Sequence, residues 1–190
     1  MSHKFFAFLY RMKHIERWSL MRNTQKENIA EHSYYVAVLA HTLGVIRRDV
    51  FGVDCNPEQF ALAALYHDIS EILTGDMPTP IKYFNPAIRD AYHQIEKISN
   101  EKLMSHLPDE MRPEWEELLE TDGEVKLMVH AADKLSAYLK CVEEVFSGNR
   151  EFECAKDQTE AALRDLHMPE VDYFPREFAP ALELTLDEME

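Results

Sequence analysis

Glycine is scarce in this chain, five residues in 190, and a turn-rich sandwich or barrel needs more. Cysteine is scarcer. Cys55, Cys141 and Cys154 are odd in number, widely spaced and contain no C-x-x-C pair. That pattern suggests neither a disulfide framework nor a thiolate zinc site and makes a reduced cytoplasm the simplest compartment. The longest apolar runs, such as Phe60 to Tyr66, fall far short of the ~20 residues a membrane span requires. The opening stretch MSHKFFAFLYRMKH is broken by charge too often for a signal peptide, so a soluble protein is expected. Basic residues are in deficit as well: 20 Lys and Arg face 35 Asp and Glu, for a formal net charge of −15. Such a surface repels nucleic-acid backbones and anionic membranes alike, so neither is expected as a partner. A small phosphorylated molecule stays open, because a metal ion and one or two well-placed cations reverse the potential locally. Internal repeats, low-complexity tracts and Gly/Ser linkers are missing, and the prolines fall singly between segments.

What remains is a chain rich enough in apolar residues, 46%, to bury a core without staples, of a length that fits one domain over residues 1–190. The apolar spacing is helical. Phe5, Phe8, Leu9, Met12 and Ile15 recur every three to four residues, with Leu20 beyond them, and place Arg17 and Trp18 at the exit of a first helix. The break MRNTQKEN precedes a second helix over about 29–47. CNPEQFALAALYHDISEILTG reads as a helix over 57–74, with Asn56 as cap, Pro57 in the first position, Gln59 completing a capping box and Gly75 as the stop. Pro78, Pro80 and Pro86 then enforce a loop. Further helices are expected over about 86–106, 113–119, 122–147 with Thr121 and Glu124 as a capping pair, and 151–166. No stretch alternates as a strand does, so the class is all-α.

Certain polar residues interrupt this pattern. His32 fronts the apolar stretch EHSYYVAVLA; taken singly, such a histidine is an ordinary hydrogen-bonded residue. In ALYHDISEILTGD, His67 and Asp68 are adjacent, about 100° apart on a helix, and reach a common point only along the face between them. Glu71, four residues after His67 and three after Asp68, falls on the same side, where a proton-transfer group is useful. Leu62, Ala63, Leu65, Tyr66, Ile69, Ile72 and Leu73 hem the trio in, and buried carboxylates must be paired or bind a metal. Asp133 poses the same problem inside its own well-patterned helix. Two His with two Asp suit Mn²⁺, Fe²⁺, Co²⁺, Ni²⁺ or Zn²⁺.

The order His, then His-Asp, then a distant Asp resembles the HD superfamily of metal-dependent phosphohydrolases. The surrounding stretches RW at 17–18, ENIAEHS at 27–33, YHDISEILTGDMPTPIKYFN at 66–85 and AADKLSAYLKC at 131–141 are specific. Together they resemble the bacterial YfbR-type 5'-deoxynucleotidases over nearly the whole chain. The resemblance implies a single-domain HD helical bundle with the metal site between helices. It further implies a cytoplasmic homodimer that uses one divalent ion, Co²⁺, Mn²⁺ or similar, to remove the 5'-phosphate of deoxyribonucleoside monophosphates. By that likeness His32, His67, Asp68 and Asp133 are the metal ligands, with His32, Asp68 and Asp133 shared with substrate. Glu71 and Asp76 are the catalytic carboxylates, Arg17 orients the phosphate, Trp18 disfavours a 2'-hydroxyl, and Asp76, Met77, Pro78 and Thr79 line the substrate site.

The chemistry asks for these residue types. A phosphate monoester resists hydrolysis because the attacking oxygen meets an anion, so charge neutralisation and a positioned nucleophile are both needed. An ion and Arg17 provide the first. A metal-bound water, oriented or assisted by Glu71 or Asp76, provides the second. Two alternatives stand beside this reading: an HD hydrolase of a deoxynucleoside triphosphate or guanosine tetraphosphate, and a non-catalytic helical module with a structural metal. The want of long basic stretches favours the monophosphate over extra phosphates, and a structural site has no need of Glu71. His14, His41 and His93 receive no role; Lys82 and Tyr83 follow the site loop and either touch substrate or solvate it.

Overall fold

Asn28 shows how local chemistry sets the fold. Its side-chain Oδ1 accepts from the backbone N–H groups of Ala30 and Glu31 at 3.0 and 3.1 Å, while Glu31 Oε2 accepts from the Asn28 N–H at 3.2 Å. This reciprocal capping box starts a helix. In the computed structural model, which describes residues 3–82 and 84–190, the helices are α1 (Phe5–Leu9), α2 (Ile29–Val45), α3 (Pro57–Leu65), α4 (Glu71–Thr74), α5 (Thr79–Lys82), α6 (Pro86–Met104), α7 (Arg112–Leu119), α8 (Gly123–Phe146), α9 (Glu153–Arg164) and α10 (Pro169–Phe178). Among the described residues no strand forms, only an isolated antiparallel bridge between Glu16 and Asn28. The all-α expectation holds, and no helix there is long and apolar enough to cross a membrane.

The described residues form two compact units. One comprises residues up to 22, 26–34 and 65–121. Its core is Phe5, Ile69, Leu103, Met104 and Leu107, with Phe8, Tyr66, Ile72, Leu73 and Trp115 packed against them. The Trp115 ring takes Phe5 and Tyr66 edge-on, at centroid distances of 5.5 and 6.2 Å. The other unit comprises 23–25, 35–64 and 122–190. Its larger core draws on Val36, Ala40 and Leu43 of α2, Phe60 and Ala63 of α3, Met128, Ala132 and Leu135 of α8, and Val171 of α10. Each fully buried aliphatic or aromatic side chain contributes about 1.5–3 kcal/mol.

Gly44 sets the spacing in that second unit. A Cβ at this position would lie 2.8 Å from the Phe60 ring and 3.0 Å from the Pro57 backbone. Only glycine lets the end of α2 approach the start of α3 so closely. The Asn56 cap is present, its Oδ1 accepting from the Gln59 N–H at 3.2 Å.

Several expected boundaries move. The helix over 57–74 breaks: α3 ends at Leu65, and residues 66–70 form a tighter turn before α4. The N–H groups of Ile69, Glu71, Ile72 and Leu73 bond to the carbonyls three residues back, of Tyr66, Asp68, Ile69 and Ser70. The core fits this, because Tyr66, Ile69 and Ile72 all pack into the first unit's apolar cluster, and a spacing of three lines up most closely in a turn of three residues. The first helix is also shorter than its periodicity suggests. It stops at Leu9, a single 3₁₀ turn covers Met12–His14, Ile15 is extended, and Leu20 is solvent-exposed. Asp122 rather than Thr121 occupies the N-cap of α8 and makes no side-chain cap bond. The helix expected over 151–166 is a 3₁₀ turn at Arg150–Phe152 followed by α9, and α2 ends at Val45 in a wide π-type turn over Ile46–Val50.

Candidate active site

The site is assembled in the first unit from three backbone devices. The capping box at Asn28 starts α2 and buries His32 completely one turn on. The tight turn after α3 presents His67 and Asp68. Between them runs a short antiparallel pairing, in which the Arg17 N–H bonds to the Glu27 carbonyl at 2.9 Å and the Ile29 N–H to the Ile15 carbonyl at 3.0 Å. It brings Arg17, Trp18 and Glu27 alongside His32. Trp18 adopts a left-handed backbone, φ 58°, uncommon for a bulky residue and found where surrounding contacts enforce it.

The donor atoms converge on Asp68. Its Oδ2 lies 3.2 Å from His67 Nε2, 3.5 Å from His32 Nε2 and 3.4 Å from Arg17 Nη1. The two imidazole rings are 5.3 Å apart, and ligand atoms of His32, His67 and Asp68 all lie within 4.8 Å of one another. Neighbouring donors about 3.0–3.4 Å apart are what an ion with ~2.1 Å bonds demands, and nitrogen with carboxylate oxygen suits a borderline divalent metal. These three residues therefore form a group able to hold one. The sequence expectation that His32 meets His-Asp is realised.

Arg17 is a guanidinium among acids. Its Nε donates to Glu27 Oε2 at 3.3 Å and its Nη1 to Asp68, with Asp76 Oδ1 3.9 Å away. The Trp18 indole Nε1–H donates to the same Glu27 oxygen at 2.9 Å, and the Trp18 backbone N–H bonds to the Asp76 carboxylate. The residues expected to orient a phosphate and screen a sugar thus sit against the expected metal ligands.

Glu71 is 5% exposed, and its Oε2 is buried without a hydrogen-bond partner among the described residues. Burial first, then the negative charges of Asp68 and Asp76, push its pKa up to about 9 against the pull of Arg17 and Lys82. Burial also raises Asp76, Asp68 adding to it, while Arg17, His32 and the Trp18 N–H oppose the rise. Two carboxyls whose environments favour protons, beside a metal-type donor set, are equipped for acid–base work.

The remaining expectations fall as follows. Met77 and Pro78 are half-buried in the loop after Gly75, and Thr79 is exposed at the start of α5. Asp133 lies within α8, in the second unit, half-buried. Lys82 donates to Glu96 Oε1 at 2.9 Å and sits 4.6 Å from the Tyr92 ring centroid; Tyr83 is outside the described residues. His93 pairs with Glu96 at 2.9 Å, and His14 and His41 are exposed.

Two features escaped sequence reasoning. Glu27 lies in the quoted stretch ENIAEHS, yet no periodicity distinguishes an acid in a loop. Glu144, fully buried in the second unit, accepts hydrogen bonds from Lys140, Asn149, Thr24 and Gln25. Its signal was available: Lys140 and Glu144 are an i, i+4 pair of opposite charge on an apolar helix.

Comparison with known proteins agrees with this geometry. Residues 4–182 match the model of the 5'-deoxynucleotidase YfbR-like family. A 5'-deoxynucleotidase of Vibrio cholerae is 50% identical, the match covering 97% of each chain. One from Cronobacter sakazakii is 49% identical over 97% of this chain and 94% of its own. Among solved structures, an HD-domain phosphohydrolase of Listeria innocua superposes with a TM-score of 0.83 at 26% identity, covering 95% of this chain and 88% of that one. A cyanophage S-2L HD phosphohydrolase, solved with dA and one catalytic Zn²⁺, shares the fold at a TM-score of 0.63 and 22% identity, over 94% of this chain and 96% of its own.

Proposed function

This chain belongs to the YfbR-like 5'-deoxynucleotidase family, and on that premise we propose that it hydrolyses 5'-deoxyribonucleoside monophosphates to deoxynucleoside and inorganic phosphate, using one divalent ion. The observation that carries the reading is the convergence, on the Asp68 carboxylate, of two histidine nitrogens and the Arg17 guanidinium within 3.5 Å.

His32, His67 and Asp68 would hold the ion, with Asp133 as fourth ligand on the family's pattern. When bound, such an ion supplies positive charge against the phosphate and lowers the pKa of a water toward neutrality. The chain's own residues do the rest. Arg17 turns its fork from Asp68 and Asp76 to the incoming phosphate, offering paired N–H donors to its oxygens. Glu71 keeps a proton on its buried carboxyl and delivers it to the leaving 5'-oxygen. Asp76, tied to the Trp18 N–H, orients the attacking water. The Trp18 indole packs on the sugar so that a 2'-hydroxyl would be buried without a partner, and Met77, Pro78 and Thr79 complete the wall. The whole of 1–190 is read as one HD domain, working as a homodimer in the cytoplasm. Exposed Tyr34, Tyr35 and Val38 on α2 support the first of those assignments, and the odd, widely spaced Cys55, Cys141 and Cys154 support the second.

The test is phosphate release from the five 5'-deoxynucleoside monophosphates, their ribo-counterparts and 3'-monophosphates, with Co²⁺, Mn²⁺, Mg²⁺, Zn²⁺ or EDTA. Metal-dependent release confined to 5'-deoxy substrates is expected. Bound-metal content of alanine variants at 32, 67, 68 and 133 accompanies it; full occupancy in any one removes that residue from the ligand set. No release with any metal would overturn the reading.

A further inference from the structure

Glu27 touches more of the site's functional groups than its loop position suggests. Its two carboxylate oxygens are divided. Oε2 accepts from the Trp18 indole at 2.9 Å and from Arg17 Nε at 3.3 Å. Oε1 faces the other ring nitrogen of His32, Nδ1, at 3.9 Å, while His32 Nε2 points to Asp68. One largely buried carboxylate, its side chain 13% exposed, thus addresses the groups assigned to phosphate, sugar and metal.

Each contact restrains a group with other options. Arg17 has three acids in reach, and the Glu27 contact holds its Nε end so that the Nη end is directed at Asp68 and Asp76. Trp18 sits on a left-handed backbone, and the bond from its indole edge keeps the ring face turned in one direction. At 3.9 Å the Glu27 Oε1 is beyond hydrogen-bond reach of His32 Nδ1, so it acts on that ring as a nearby negative charge. Backbone holds Glu27 in turn, through the Arg17 N–H on its carbonyl.

We propose that Glu27 is a positioning residue for this reaction, one that sets the orientation of Arg17 and Trp18 together and so governs the preference for deoxyribose as well as phosphate binding. The inference rests on the 5'-deoxynucleotidase reading. Glu27 touches no reacting atom, and its charge matters as much as its shape: a glutamine there can still accept from the indole, but it brings N–H donors against the Arg17 guanidinium.

The test compares Glu27→Ala, Glu27→Gln and Glu27→Asp with wild type in the metal-loaded protein, reading kcat and KM for dAMP and AMP. Beside it goes the ¹⁵N-bound indole proton resonance of Trp18, assigned with Trp18→Phe. For Glu27→Ala we expect the dAMP-over-AMP ratio of kcat/KM to fall about 10-fold or more, within the ~10–100-fold typical of groups behind a metal ligand, together with a shifted, faster-exchanging indole proton. Glu27→Gln should raise KM more than it moves the indole signal, and Glu27→Asp should restore both in part. Should the alanine variant not fold, the other two decide. An unmoved indole resonance, or an unchanged ratio and KM in a folded variant, overturns the proposal. If wild type releases no phosphate from any nucleotide, the functional reading fails, while the indole resonance still reports whether Glu27 orients Trp18.

Discussion

Replacing Glu144 by glutamine should cost far more stability than its small change in shape suggests. The carboxylate is fully buried. It accepts from the Thr24 N–H and hydroxyl at 2.9 and 2.7 Å, the Gln25 N–H at 3.1 Å, Lys140 Nζ at 2.6 Å and Asn149 Nδ2 at 2.8 Å. Burial by itself would raise its pKa, but the bonds from Lys140, Asn149 and Thr24 outweigh burial and hold it at about 2 instead of 4.5. At about 1.4 kcal/mol per unit, that difference corresponds to about 3 kcal/mol of stability. An independent route gives the same size: removing one partner of a buried ion pair costs ~3–5 kcal/mol, and Lys140 is itself 7% exposed. The carboxylate's folded pKa is depressed, so its contribution is complete above about pH 4.5 and lost as pH falls through about 2. Urea unfolding followed by circular dichroism should show Glu144→Gln weaker than wild type by about 3 kcal/mol at pH 7, and by less than half of that near pH 3. A difference below about 1 kcal/mol at pH 7, or one that stays constant down to pH 3, would refute the charged hydrogen-bond hub.

Glu71→Gln should abolish turnover yet stabilise the metal-free protein. Its folded pKa is raised to about 9 from 4.5, so between those values the folded state must take up a proton the unfolded chain does not hold, and the gain on substitution should be about 3 kcal/mol at pH 7 and vanish below pH 4.5. Thermal melts in EDTA across that range check it, and a variant less stable than wild type at pH 8 would contradict the burial argument. Gly44→Ala improves helix propensity by about 1 kcal/mol, but its Cβ strikes Phe60 and Pro57. The net expectation is a loss of about 1–2 kcal/mol in urea titration, and a stabilised variant would show that α2 and α3 have room to part.

The helical class was legible because apolar spacing and cap chemistry reinforce one another, as at Asn56, Pro57 and Gly75. The site's central trio was legible for a different reason: His67, Asp68 and Glu71 are too polar for the apolar residues around them. Boundaries failed where tertiary packing outbid local preference. Nothing in YHDIS itself breaks a helix; Tyr66, Ile69 and Ile72 tighten the turn because a particular core receives them. Glu27 and Glu144 were obscured because their meaning lies in contacts with residues distant in sequence, Trp18 and Thr24. Glu144 alone left a trace, in its spacing from Lys140.

The charges of the first unit argue for an order of events. Among the described residues Glu27, Glu71, Asp68 and Asp76 outnumber the cations acting on the site, Arg17 and, toward Glu71, Lys82, and the chain as a whole carries −15. A phosphate dianion entering that cluster meets more negative than positive charge, and at about 4 Å each uncompensated pair costs about 4 kcal/mol at an effective dielectric of ~20. Arg17 cannot offset this while it neutralises Asp68 and Asp76. A proton retained on Glu71 relieves one charge, and a divalent ion at His32, His67 and Asp68 would relieve two more and free the Arg17 fork from Asp68. On the proposed reading, cation binding precedes phosphate binding, and the acidity that looks unfavourable for a nucleotide-binding protein would make its phosphate site conditional on the metal.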